Sequence, residues 1–265
     1  MSVATKEYTT GYKADTTIIS VRANMDYDVE ISAEGAPWLK AEKDKNSCKF
    51  YIAEYDGKAV RQATATFSSG KNVYKVKFTQ IDVRGTYTAT FSDYDENNEL
   101  VGYKGTFELT ENGLDIGGLV VPLTLNPTTG QITIYGGQYV GVYKTYFLYT
   151  SISSEEGYVT WNSATSYSGE LTIDDDFVPS YTFGNDGSWT DYTIDGFTID
   201  AYSAKTDPPV KANRLGTLLN FINLEMVKNT NTETPASLSK KRISKNAPTW
   251  NGRASHPRNL WKVKN

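Results

Sequence analysis

The stretch Arg61-Gln62-Ala63-Thr64-Ala65-Thr66-Phe67-Ser68-Ser69-Gly70-Lys71-Asn72-Val73-Tyr74-Lys75-Val76-Lys77-Phe78-Thr79-Gln80 decides the fold class. Ala63, Ala65 and Phe67 alternate with Thr64, Thr66 and Ser68; Tyr74, Val76 and Phe78 then alternate with Lys75 and Lys77. Successive side chains of a β-strand point to opposite faces, so a period of two predicts two half-buried strands, and Ser69-Gly70-Lys71-Asn72 supplies the turn between them. The same alternation extends outward from this hairpin. Tyr27, Val29 and Ile31 oppose Asp28 and Glu30, while Cys48, Phe50 and Ile52 share a further face. Each apolar face needs a second sheet to cover it, so residues 14–82 are read as a small antiparallel, immunoglobulin-like β-sandwich.

At Ile81-Asp82-Val83-Arg84-Gly85 the composition changes. Residues 1–84 carry a net charge of +2, residues 85–205 a net of -14 with 13 of the 19 tyrosines, and residues 206–265 a net of +8. A shift of this kind marks a domain boundary. Residues 85–228 read as many short strands, among them Tyr87/Ala89/Phe91, Ile132/Ile134, Leu171/Ile173, Tyr181/Phe183 and Phe197/Ile199. Glu111-Asn112-Gly113, Thr129-Gly130, Asn185-Asp186-Gly187 and Asp195-Gly196 provide hairpin signals between them. Many strands without helices predict a larger antiparallel β-barrel or sandwich domain, and the chain as a whole is all-β. Leu215 to Val227 suits a short helix or a last strand around Phe221-Ile222-Asn223-Leu224; Asn220, Asn223 and Asn229 are poor helix formers and favour the strand. Residues 229–265 form a basic segment with almost no apolar run, read as a flexible tail or an irregular wrap.

The first domain resembles the BACON domain, a β-sandwich module of Bacteroidetes associated with carbohydrate. The matching pieces are Asn24-Met25-Asp26-Tyr27-Asp28-Val29, Pro37-Trp38-Leu39, Arg61 to Phe67, and Val76-Lys77-Phe78-Thr79-Gln80 with its terminal Gln. Tyr27 stands where the family has Trp. The second region is similar, more loosely, to β-rich C-terminal domains of gut Bacteroidetes surface lipoproteins through Gly117-Gly118-Leu119, Asn126 to Ile134 and Gly137-Gln138-Tyr139-Val140-Gly141. These resemblances imply an exported protein of the cell surface or periplasm beside glycan-uptake machinery, held to the membrane only through an anchor not present in this chain. The opening Met1–Lys6 shows neither the charged nor the apolar region of a secretory signal, so the start by itself leaves localisation open.

Composition narrows the chemistry. Lone Cys48 allows no internal disulfide and reads as a small buried hydrophobe; with His256 as the single histidine, no Cys/His zinc cluster assembles. The acidic middle block repels phosphate backbones, so nucleic acid is excluded as its partner and a polysaccharide or oligosaccharide is the expected one. The basic run Ser239 to Lys245 is expected to cover that block, or else to meet anionic lipid or acidic glycan. Sugar recognition needs an aromatic face with carboxylates or amides beside it. Trp161, Tyr181 and Trp189, with Asp186 and Asp191 flanking the last, form the candidate platform; the competing reading makes the same rings core plugs. Asp174-Asp175-Asp176 and Asp93-Tyr94-Asp95-Glu96-Asn97 carry hard-cation oxygens, but the second lacks the glycine and glutamate of a calcium loop and reads as a solvated hairpin tip. No cofactor is expected. No nucleophile elbow, metalloprotease or phosphate-loop motif occurs, so the chain reads as non-enzymatic. Glycan binding or presentation, with the sandwich as spacer, leads; an adhesin-like structural protein is the alternative, and a glycoside hydrolase, needing two facing carboxylates, a further one.

Overall fold

In a computed structural model the chain forms two compact units, Met1–Val83 with the turn Pro127–Gly130, and Arg84–Asn126 with Gln131–Asn265. The structure describes residues 1–57, 60–95 and 97–229, and the backbone of 262–263. The basic run Ser239 to Lys245 and His256 lie outside the described residues.

The first unit is a β-sandwich. Its strands are β1 (Ser2–Val3), β2 (Glu7–Gly11), β3 (Asp15–Arg22), β4 (Asp28–Ile31), β5 (Leu39–Lys43), β6 (Ser47–Ile52), β7 (Val60–Ser69) and β8 (Asn72–Ile81). They make two four-stranded sheets, β1-β3-β6-β5 and β2-β8-β7-β4. The alternating residues behave as read: Phe50, Ala65, Phe67 and Val76 are buried in one core that both sheets share. Two strands precede the periodic region. Glu7–Gly11 pairs in parallel with β8, so the sandwich is not purely antiparallel and begins before residue 14. The residues quoted for the family resemblance hold the sandwich together. Tyr27 is buried and its hydroxyl reaches the carbonyls of Asp44 and Ser47 at 2.7 and 2.6 Å. Gln80, also buried, donates to the carbonyls of Tyr12, Lys13 and Ala53, and accepts from Arg61 Nε and Nη2. The Arg61 guanidinium in turn lies 4.5 Å from the ring centroids of both Trp38 and Tyr55. Cys48 is buried, and desolvation pushes its thiol up to about 11.

The second unit contains β9 (Gly85–Tyr94), β10 (Leu100–Leu109), β11 (Leu114–Asp115), β12 (Val120–Val121), β13 (Thr124–Leu125), β14 (Ile132–Tyr135), β15 (Tyr139–Tyr143), β16 (Tyr146–Ser154), β17 (Tyr158–Thr160), β18 (Ser166–Ile173), β19 (Pro179–Gly184), β20 (Ile194–Tyr202), β21 (Arg214–Lys228) and β22 (Lys262–Val263). Its long path runs β12-β11-β10-β9-β21-β19-β18-β14-β13, and β20 joins β21 to a second branch through β16. All pairings in it are antiparallel except β17 with β22, where two residues of the basic segment pair as a short strand. Among the described residues there is no α-helix, and none long and apolar enough to cross a membrane.

Strand β21 organises this unit. Residues Arg214 to Ile222 pair with β20, and Glu225 to Val227 pair with β19. Its other edge carries β9 from Ile222 to Lys228, with a register break between Ile222 and Glu225. Asn223 sits in that break at φ 52°, a left-handed conformation that Asn tolerates better than most residues. The expected strand at Phe221–Leu224 is therefore the middle of a 15-residue one.

Burial on both faces explains where alternation fails. β16, β20 and the first half of β21 are buried almost throughout. Asp195-Gly196 is not a turn but part of β20: a Cβ on Gly196 would sit 2.5 Å from the Phe221 carbonyl oxygen, so the glycine serves close strand approach. Several polar residues buried here partner one another. Asp200, fully buried, accepts from Ser151, Thr198 and Thr217 hydroxyls and pairs with Arg214 Nε at 2.7 Å. Burial disfavours the Arg214 charge, but Asp200 beside it holds its pKa above the usual value.

Asp200→Asn leaves a buried guanidinium without its counter-charge and is expected to cost about 3–5 kcal/mol in urea unfolding, whereas replacing both partners with apolar residues costs less. Asn223→Gly is expected to stay within about 0.5 kcal/mol of wild type while Asn223→Val loses about 1–2 kcal/mol, since a β-branched side chain resists positive φ.

Candidate functional site

The sequence-derived platform does not form one surface. Tyr181 is 1% exposed, packed beside Tyr87 and Phe183, so no ligand reaches its ring. It lies on the inward-facing side of β19, a strand whose Tyr181 and Phe183 are buried while Thr182 is exposed. Trp189 is half-buried against Tyr192, ring centroids 4.7 Å apart, and Tyr192 continues to Tyr158 at 5.1 Å. Asp191 is exposed in the same turn. Asp186 is not a ligand group: its carboxylate accepts from the Ser166 and Ser168 hydroxyls and the Ser188 N–H, and those hydrogen bonds outweigh burial and lower its pKa. Trp161 belongs to a different aromatic pair, edge-on to Tyr202 at 89° and 6.3 Å.

Trp161 lines a groove of about 640 Å³, within the ordinary range of ligand clefts. One wall is the turn after β17, Trp161-Asn162-Ser163; the other is Asp207-Pro208-Pro209-Val210-Lys211. Both walls are fixed from below. Gly136 and Gly137 run so close to the Trp161 and Asn162 carbonyls that a side chain at either would collide. The Tyr149 hydroxyl donates to Thr206 O at 2.7 Å and accepts from Thr206 N–H at 3.1 Å, pinning the second wall. Lys205 Nζ lies 4.0 Å from the Tyr139 ring centroid in the same segment. Asn162 commits its Oδ1 to the Ala164 N–H, which leaves its amide NH₂ as a donor, and Thr160 Oγ1 accepts from Asn162 N–H. Asp207 and Lys211 are exposed, and neither makes an ion pair among the described residues. The groove thus offers an indole beside an acceptor carboxylate and several donors. The second wall follows Ala204, where alternation fades, so periodicity gave no sign of it; Asp207-Pro208-Pro209 was its available signal.

The acidic turns are hairpin tips. Asp95 Oδ1 accepts from Asn97 N–H and Glu99 N–H, and Asp174 Oδ1 accepts from Asp176 N–H and Val178 N–H. Asn98 and Phe177 hold positive φ at the same place in each turn. Among the described residues no group of three or more Asp, Glu, His or Cys is placed to hold a metal ion.

No family model matches the chain, and no curated protein matches it. Among solved structures it is similar to a Bacteroides ovatus GH5 xyloglucanase in complex with a XXXG heptasaccharide, at 17% identity, 31% of this chain and 19% of that one, with a TM-score of 0.28. The chain spans about a fifth of that protein's length. So partial a likeness transfers neither activity nor ligand.

Asp195 yields a pH prediction. Burial, and then the nearby Glu155 and Glu156, push its pKa up to about 6 although Ser153 Oγ donates to it at 2.7 Å. Its folded-state pKa lies above the unfolded one, so its contribution to stability is fully present below about pH 4 and is lost as pH rises through about 6. Asp195→Asn is therefore expected to match wild type most nearly at pH 4 and to gain on it by about 2 kcal/mol at pH 8, read by denaturant unfolding at both pH values.

Proposed function

We propose that this chain is a non-enzymatic protein of the bacterial cell surface that binds or presents glycan at the Trp161 groove, with a BACON-type sandwich as spacer. The observation that carries the reading is the groove itself: a half-buried Trp161 with the Asn162 amide beside it on one wall, and Asp207 and Lys211 on the other. An aromatic ring packs against the C–H face of a sugar while carboxylate and amide groups meet its hydroxyls. Asp207 is the single carboxylate among the groove's lining residues, where a glycoside hydrolase of the two-carboxylate type needs a facing pair; this supports binding over hydrolysis. Export and surface attachment rest on the family resemblance.

A second reading has its own support. Tyr87, Tyr149, Tyr167, Tyr181 and Tyr202 are all buried, as an adhesin-like structural protein that uses tyrosines to pack strands requires.

Affinity electrophoresis of the full chain through gels containing neutral polysaccharides, together with a glycan array, separates the two. Trp161→Ala and Asp207→Asn are each expected to weaken retardation at least about tenfold, near 1.4 kcal/mol, with Trp189→Ala close to wild type. Asp207 is exposed, so its variant keeps the fold. A folded wild type that no glycan retards leaves the structural reading.

A further inference from the structure

We infer that the outer edge of β17, with the acidic and aromatic surface beside it, is the docking site of this chain's own basic C-terminal segment, residues 253–265. The assignment is independent of any ligand in the Trp161 groove.

The surface is built where the turn between β16 and β17 meets the segment leading into β20. Glu155 N–H donates to the Thr193 carbonyl at 3.0 Å, and Thr193 N–H donates to Glu156 Oε1 at 3.3 Å, so the two segments lie side by side. Glu155, Glu156 and Asp191 are exposed there. Half-buried Tyr158, Tyr192 and Trp189 form a row, with successive ring centroids 5.1 and 4.7 Å apart. Between Lys144 and Lys205 the sequence holds no lysine or arginine, so the elements that build this surface bring carboxylates and rings without a cation of their own. Both kinds of group attract ammonium and guanidinium.

The same place offers backbone. β17 pairs with β16 on one edge; on the other, its partner among the described residues is β22, with Tyr158 beside Lys262 and Val159 beside Val263 in parallel. An uncovered strand edge is a row of donors and acceptors that a further strand completes, and an edge already covered is closed to other chains. Val159 is buried with Ile222, which fixes β17 for such a partner.

Charge, register and chain length select the occupant. Residues 253–265 carry Arg253, Arg258, Lys262 and Lys264 and no acid. Lys262 holds the register position beside Tyr158, the first ring of the row, where a cation is favoured. The chain ends two residues after Val263, so this strand joins the edge without a return connection. Residues 230–261 make a tether of 32 residues, up to about 100 Å when extended, which leaves the segment free to reach other edges of the sheet such as β12, β13 and β15. The surface beside β17, rather than the tether, therefore sets the place.

The test is hydrogen exchange of the full chain, read by mass spectrometry. Residues 157–161 are expected to be protected in wild type, and Lys262→Pro/Val263→Pro to lower that protection at least about tenfold, because successive N–H groups of a strand point to opposite edges and the pair removes whichever one faces β17. Arg258→Glu/Lys262→Glu/Lys264→Glu is expected to lower it at least about threefold, as is raising NaCl from about 20 to 500 mM for wild type. These substitutions lie in the terminal segment, so amides of β7, β8 and β21 are expected to exchange as in wild type and report an intact fold. An unprotected 157–161 in wild type overturns the docking, and protection that survives the double proline variant does the same. Protection unmoved by charge reversal and by salt overturns the role of the acidic surface. Wild-type protection that falls on dilution, with a dimer mass by light scattering, overturns the assignment in favour of a second copy's segment.

Discussion

The second unit depends on one strand that joins two branches of its sheet. Arg214–Lys228 pairs with β20 along its first half and with β19 and β9 along its second, and the left-handed residue Asn223 lets the backbone turn from one set of partners to the other. A straight strand keeps its hydrogen-bonding edges in one sheet; a bulge redirects them. The β15–β16–β17 branch, which leads to the Trp161 turn, joins β21 through β20, whose partner is the first half of β21.

Double-sided burial is the second consequence. Strands covered on both faces leave no solvent side for their polar residues, and each such group must find an internal partner. Asp200 collects three hydroxyls and the Arg214 guanidinium, and Asp93 accepts from the Asn220 amide at 2.6 Å. These contacts join β16, β20, β21 and β9 and tie the strand bearing Tyr149 to the strand bearing Tyr202. Those two tyrosines then support the groove: Tyr149 holds Thr206, and Tyr202 packs perpendicular to Trp161. Binding groups on loops gain their precision from such a floor.

The first unit was legible because it obeys simple rules. Phe67, Val76 and Phe78 alternate with Thr66, Lys75 and Lys77, one face inward and one outward, and the structure keeps that division. Its strand β2 is not legible in the sequence, since Glu7-Tyr8-Thr9-Thr10-Gly11 carries little apolar alternation and is held by pairing to β8. In the second unit Asp195-Gly196 looked like a turn because Gly relaxes φ and Asp caps turns; the actual demand is space for the Phe221 backbone. Tyr181 looked like a sugar platform because burial of an aromatic depends on which side of its strand faces the core, and composition carries no such side.

What the sequence determined by itself is the all-β class and which residues alternate, since both follow from local backbone geometry and side-chain period. The tertiary structure alone decided which rings meet solvent, which carboxylates are already engaged, and that Trp161 faces Asp207 and Lys211 across a groove. Those outcomes join residues dozens of positions apart. They are fixed by strand order and by the bend at Asn223, long-range pairings that no local pattern encodes.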